Sequence, residues 1–137
     1  MPAEDVWEDG ALATVLTIDD SHLVRQIVAT SLRAMRVQVL DAATGTEGLR
    51  LFVQHRPDLV LLDVMLPDTD GVAVLRRMRQ LPDSRLAATP VVVLTSVSER
   101  TTVEALLDAG ATDYLLKPFS IEELRLRVCR ALPAVIG

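Results

Sequence analysis

The chain has 137 residues, half of them hydrophobic, and a formal net charge of −5. That length suits one domain with a sizeable core, and the apolar share excludes disorder for its bulk. No run of Lys/Arg stands out, which argues against a nucleic-acid surface, and no stretch approaches the roughly 18 apolar residues of a membrane span.

Residues 1–12 read as an acidic, poorly ordered N-terminal tail, the reverse of a signal peptide's basic start; Trp7 has no role there that the sequence explains. Residues 13–132 read as the domain and 133–137 as a C-terminal tail. Cys129 is the only cysteine, so no internal disulfide forms; it reads as a small apolar residue on the last helix. A reducing cytosol suits the chain, and the predicted location is cytoplasmic.

Within 13–132 two kinds of segment alternate. Short apolar runs at 13–18, 37–40, 58–62, 90–94 and 112–116 have the length and β-branched content of strands buried on both faces. Helical stretches are predicted near 21–35, 45–55, 70–80, 98–109 and 120–131. In the first, Val24, Ile27, Val28, Ser31, Leu32 and Met35 form one stripe. Thr44-Gly45-Thr46-Glu47 and Ser120-Ile121-Glu122-Glu123 read as capping boxes, and Gly110 stands where a left-handed cap closes the fourth helix. Residues 81–89 read as a polar loop. The arginines at 76, 77 and 79 and at 125, 127 and 130 read as solvated helix faces.

Five β-then-α units imply an α/β fold: a doubly wound parallel sheet with five helices on its two faces. In the order 2-1-3-4-5, the winding reverses between strands 1 and 3, where ligands bind. Asp19-Asp20 close strand 1, Asp63 closes strand 3, Thr95 ends strand 4 and Lys117 ends strand 5. Four polar sites distant in sequence are thereby expected at one cleft. Lys117 is the only lysine beside thirteen arginines, which suits a position requiring a compact ammonium.

Three neighbouring carboxylates repel unless a cation intervenes. Oxygen ligands select a hard divalent ion, and Mg²⁺ (or Mn²⁺) fits, with Asp20 and Asp63 as direct ligands and Asp19 direct or through water. Beside the metal and Lys117, Asp63 is the candidate nucleophile toward a phosphoryl group. Blander readings exist: Asp63 as a turn cap, Asp19 or Asp20 as the N-cap of the first helix, Thr95 as a strand residue, Tyr114 as a core aromatic. His22 reads as exposed in the first turn of its helix, and His55 as a cation at a helix end.

Asp19-Asp20, Asp63, Thr95 and Lys117-Pro118-Phe119 resemble the signature of the response-regulator receiver domain of two-component signalling. Leu66-Pro67-Asp68-Thr69-Asp70-Gly71, Ala109-Gly110-Ala111 and Asp113-Tyr114-Leu115 add to the likeness, which spans roughly residues 13 to 132. The resemblance implies a flavodoxin-like fold and a protein that is a phosphoacceptor, not a turnover enzyme. It implies that Asp63 takes phosphate from a histidine kinase or a phosphotransfer protein. Asp19, Asp20, Asp63 and the backbone carbonyl of Met65 would hold Mg²⁺, while Lys117 and Thr95 would engage phosphoryl oxygens. Tyr114 would turn inward with Thr95 and alter the surface of the fourth helix, fifth strand and fifth helix, which meets a downstream protein or a second copy. A cis peptide is implied at Lys117-Pro118.

Met65 and Val97 are apolar at positions that influence, in that family, how water reaches the acyl phosphate; a long-lived phosphorylated state is the expectation. Competing readings are a flavodoxin-like nucleotide or flavin binder, a Mg²⁺-dependent aspartyl phosphohydrolase and a receiver-like module that is never phosphorylated. The first lacks its glycine-rich loop after strand 1, and the second finds Met65 where its acid/base carboxylate belongs. The residues show no second module, and the sequence leaves open a standalone receiver or part of a longer protein.

Overall fold

Five parallel strands form one sheet: β1 (Ala13–Ile18), β2 (Val37–Ala42), β3 (Leu59–Asp63), β4 (Val91–Thr95) and β5 (Asp113–Leu116), in the order β2-β1-β3-β4-β5. The computed structural model describes residues 13–96 and 99–132; the two predicted tails, Trp7 and Val97 lie outside the described residues. Helices α1 (His22–Arg33), α2 (Gly45–His55), α3 (Gly71–Arg79), α4 (Ser84–Ala87), α5 (Arg100–Asp108) and α6 (Ile121–Ala131) complete the described chain.

Strand residues alternate between two cores. Val15, Leu59, Leu61, Val92, Leu94 and Leu115 pack with Val28 and Leu32 of α1 and Leu124 and Val128 of α6. Leu16, Ile18, Val60, Leu62, Val91 and Val93 pack with Phe52 of α2, Leu75 and Met78 of α3, Leu86 of α4 and Leu106 of α5. Each fully buried Leu or Phe contributes about 2 kcal/mol of transfer free energy. Both faces are therefore covered, and the strands read as continuous apolar runs for that reason.

The sequence reading has five helices, and the described residues form six. The extra one, α4, is a single turn inside the predicted 81–89 loop, started by Asp83, whose carboxylate accepts from the Arg85 and Leu86 N–H groups. One turn is too short to show a periodic stripe. It also shifts the count, so the predicted surface of the fourth helix, fifth strand and fifth helix is that of α5, β5 and α6.

Local signals divide the same way. Ser120 and Glu123 form a complete capping box on α6. Thr44 accepts from Glu47 N–H at 3.1 Å, but the Glu47 carboxylate pairs with Arg50, so only half of that box exists. After α5, Gly110 has φ of 110°. Its N–H reaches the Leu107 carbonyl while Ala111 N–H reaches that of Leu106, the paired bonds of a Schellman ending.

Not every arginine is solvated. Arg76, Arg77 and Arg130 are exposed, but Arg79 is half-buried and donates to the carbonyls of Gly110, Ala87 and Thr89. Arg125 donates to Ser31 of α1, and Arg127 to the Tyr114 carbonyl. Carbonyls at loop junctions recruit Arg79, and carbonyls of α1 and β5 recruit Arg125 and Arg127, a tertiary demand that composition does not express.

Candidate functional site

Register aligns the C-terminal ends of the central strands. Ile18 stands opposite Leu62, Asp63 opposite Leu94, and Thr95 opposite Leu116. Backbone bonds continue one step past the ladders: Asp19 N–H to Ala42, Val64 N–H to Leu94, and Lys117 N–H to Thr95 at 2.8 Å. The residues ending each strand therefore emerge along one edge. Asp20, Asp63, Val64, Met65, Thr95, Ser96, Thr102 and Lys117 line a cleft there of about 290 Å³.

Asp19, Asp20 and Asp63 each offer a carboxylate oxygen within 4.8 Å of the others. Asp19 is fully buried, Asp63 nearly so, and Asp20 exposed. Neither Asp19 nor Asp20 caps α1: Ser21 does, its hydroxyl accepting from Val24 N–H at 3.2 Å. Asp19 accepts from Ser21 N–H through Oδ1, leaving Oδ2 for Lys117 Nζ at 2.7 Å. The same ammonium stands 3.4 Å from Asp63 Oδ2.

Burial raises the Asp63 pKa above the ordinary carboxylate value, opposed by the Met65 N–H at 3.2 Å from Oδ1; Asp19 adds to the rise, and Lys117 opposes it. A group so placed gains from any added cation. The donor set, carboxylate oxygens alone with open space beside them, suits a hard divalent ion.

Thr95 is buried at the end of β4, and its side of the cleft continues through Ser96 to Thr102 on the first turn of α5. Tyr114 is half-buried on β5. The Lys117–Pro118 peptide is cis. His22 is exposed at the start of α1 and His55 ends α2.

Two site neighbours escaped sequence reasoning. Thr102 belongs to a polar helix start whose approach to the cleft no local pattern reveals. Asp68 reads as a turn residue, yet its carboxylate crosses to α2, bonding Gly45 N–H and Thr46 N–H and hydroxyl. The Asp-Thr-Asp-Gly run signals a turn, not that crossing.

Residues 15–129 match the response regulator receiver domain family. The chain belongs to that family. The receiver is 40% identical over 121 residues to the KDP operon transcriptional regulatory protein KdpE of Escherichia coli, covering 88% of this chain and 52% of that protein. It is 46% identical to response regulator MprA of Mycobacterium sp. strain KMS, covering 86% and 49%. This receiver thus spans about half the length of the curated relatives it matches. Among solved structures, chemotaxis response regulator CheY4 of Vibrio cholerae aligns with a TM-score of 0.82 at 32% identity, covering 88% and 98% of the two chains. The receiver domain of sensor histidine kinase PA1611 from Pseudomonas aeruginosa PAO1, with magnesium coordinated in its active-site cleft, aligns with a TM-score of 0.79 at 29% identity, covering 88% and 98%. No helix among the described residues is long and apolar enough to cross a membrane.

Proposed function

We propose that this receiver accepts a phosphoryl group on Asp63 and, once phosphorylated, presents an altered α5-β5-α6 surface to a protein partner. The observation that carries the reading is the charge arrangement: Asp63 opens onto the cleft with the Lys117 ammonium 3.4 Å away and two further carboxylates close by. A carboxylate so buried and so paired is held in place for attack, and it needs positive charge to bring an anionic phosphoryl group near.

In the reaction, an Asp63 carboxylate oxygen attacks phosphorus as the P–N bond of a kinase or phosphotransfer-protein phosphohistidine breaks. The imidazole leaves with the bond's electron pair, and an acyl phosphate remains on Asp63. Asp19, Asp20, Asp63 and the Met65 carbonyl would hold Mg²⁺ or Mn²⁺. Bound there, the ion neutralises phosphoryl oxygens and lowers the repulsion among the acids. Lys117 offers its ammonium to the same oxygens, and Thr95 its hydroxyl.

Coupling to the surface follows from position. Thr95 ends β4 and Lys117 directly follows β5, the strands that lead into α5 and α6 of that face, and Arg127 of α6 holds the Tyr114 carbonyl. Contacts available only to the phosphorylated cleft shift the population toward one arrangement of these elements, with Tyr114 turning inward. A cytoplasmic setting, a histidine kinase upstream and a protein or second receiver downstream belong to this reading.

Incubation with acetyl phosphate and Mg²⁺ tests it. Intact-mass analysis is expected to show one added phosphoryl group, absent from Asp63→Asn and on omission of divalent metal. An unmodified wild-type chain under conditions that modify a control receiver sinks the proposal. Steady release of phosphate from a generic monoester would favour a hydrolase instead.

A further inference from the structure

One side chain ties the turn after Asp63 to the second helix. Asp68 Oδ1 accepts from Gly45 N–H at 2.8 Å, while Oδ2 accepts from Thr46 N–H at 2.9 Å and Thr46 Oγ1 at 2.8 Å. These are free donors of the first turn of α2, which has its own N-cap in Thr44, so Asp68 adds to that cap. The three bonds hold the Asp68 carboxyl down to about 2.

Packing reports the same junction independently. A Cβ on Gly45 would run into Thr69 Cγ2 and come within 2.9 Å of Val74 Cγ2, so the tip of the turn lies directly on the helix start. The base of the turn is closed by backbone: Gly71 N–H to Val64 carbonyl at 2.7 Å, a bridge between Met65 and Asp70, and Met65 N–H on Asp63 Oδ1. Leu66 anchors one side on the core. The polar side of the tip is held by Asp68.

We propose that Asp68 is a positioning residue for the cleft: by docking the 64–70 turn on α2 it fixes the Met65 backbone beside Asp63, where the carbonyl is offered to a hard cation. This rests on the metal reading above. Asp68 is not among the residues that line the cleft, so it acts through the turn, and α2 becomes part of what sets metal affinity.

The test is calorimetric titration of Mg²⁺ into the unphosphorylated full chain, for wild type, Asp68→Asn, Asp68→Ala and Asp20→Asn, with amide hydrogen exchange across 64–70. Asp68→Ala is expected to weaken Mg²⁺ binding about threefold to tenfold, less than loss of a group bonded directly to a ligand. Asp68→Asn, with one acceptor oxygen, falls between it and wild type. Exchange in the turn rises in the same order. A purely structural role would lower melting temperature and leave the Mg²⁺ affinity of the folded protein unchanged, which overturns the proposal, as does any other order of affinities. If wild type binds Mg²⁺ no better than Asp20→Asn, the metal reading falls and this one with it; if only the Asp68 variants match wild type, this one alone falls.

Discussion

Lys117 is held more closely by Asp19 than by Asp63: its ammonium lies 2.7 Å from the first and 3.4 Å from the second. Asp19 is fully buried, so its charge has little solvent to fall back on. Lys117→Ala removes the counter-charge that Asp19 and Asp63 share. Breaking such a pair from one side is expected to cost about 2 kcal/mol or more, discounted from fully buried cases because Lys117 is partly exposed. Urea unfolding measures it. Added Mg²⁺ should recover more stability in the variant than in wild type, since the ion replaces the missing positive charge.

Asp63 carries the opposite sign. A carboxyl whose pKa is raised on folding binds its proton more tightly in the native state, so ionisation costs stability as pH rises from the unfolded value through the folded one. The penalty grows as pH rises through that window. Metal-free Asp63→Asn should therefore melt higher than wild type at pH 7, by about 4 °C for each kcal/mol relieved. The gap should close below about pH 4, where the unfolded carboxyl is protonated too. Melting curves without divalent metal at the two pH values decide it.

Gly71 opens α3 against the backbone of the expected phosphoacceptor. A Cβ there would collide with the Asp63 carbonyl and lie 2.7 Å from Val64 Cα, and neither can yield as a flexible side chain does. Gly71→Ala is expected to cost about 2 kcal/mol or more and to slow modification of Asp63 by acetyl phosphate. Wild-type stability and rate in this variant would contradict that packing.

Met65 is 75% exposed at the mouth of the cleft, and its thioether side chain is too weak an acceptor to orient an attacking water. Once formed, the acyl phosphate should persist for minutes or longer with Mg²⁺ at neutral pH. Met65→Asn, which supplies a polar group at that mouth, should shorten the half-life about tenfold. Loss of label from phosphorylated protein over time measures both; a wild-type half-life of seconds would contradict the expectation.

Much of this molecule was legible residue by residue. Ser120 and Glu123 announced the start of α6, Gly110 the end of α5, and the apolar runs the strands to within a residue or two. Other boundaries were silent because the usual markers are missing. Arg36 and Arg56 take φ of 60° and 49° beyond α1 and α2, where glycine would have signalled the turn. The single turn of α4 was invisible because four residues carry no periodicity.

By itself the sequence determined the alternation of strand and helix, and hence which polar residues end strands, because these follow from local apolar periodicity and from handed crossovers. Tertiary structure alone decided which partner each of them takes. Lys117 chose Asp19 across 98 residues, Asp68 crossed to α2 rather than closing its own turn, Ser21 capped α1 in place of either aspartate, and Arg79 went to three carbonyls. The physical reason is range: hydrophobic patterning acts along a few neighbouring residues, whereas an ion pair or a charged hydrogen bond is settled by a few tenths of an ångström between groups that only the packed sheet brings together.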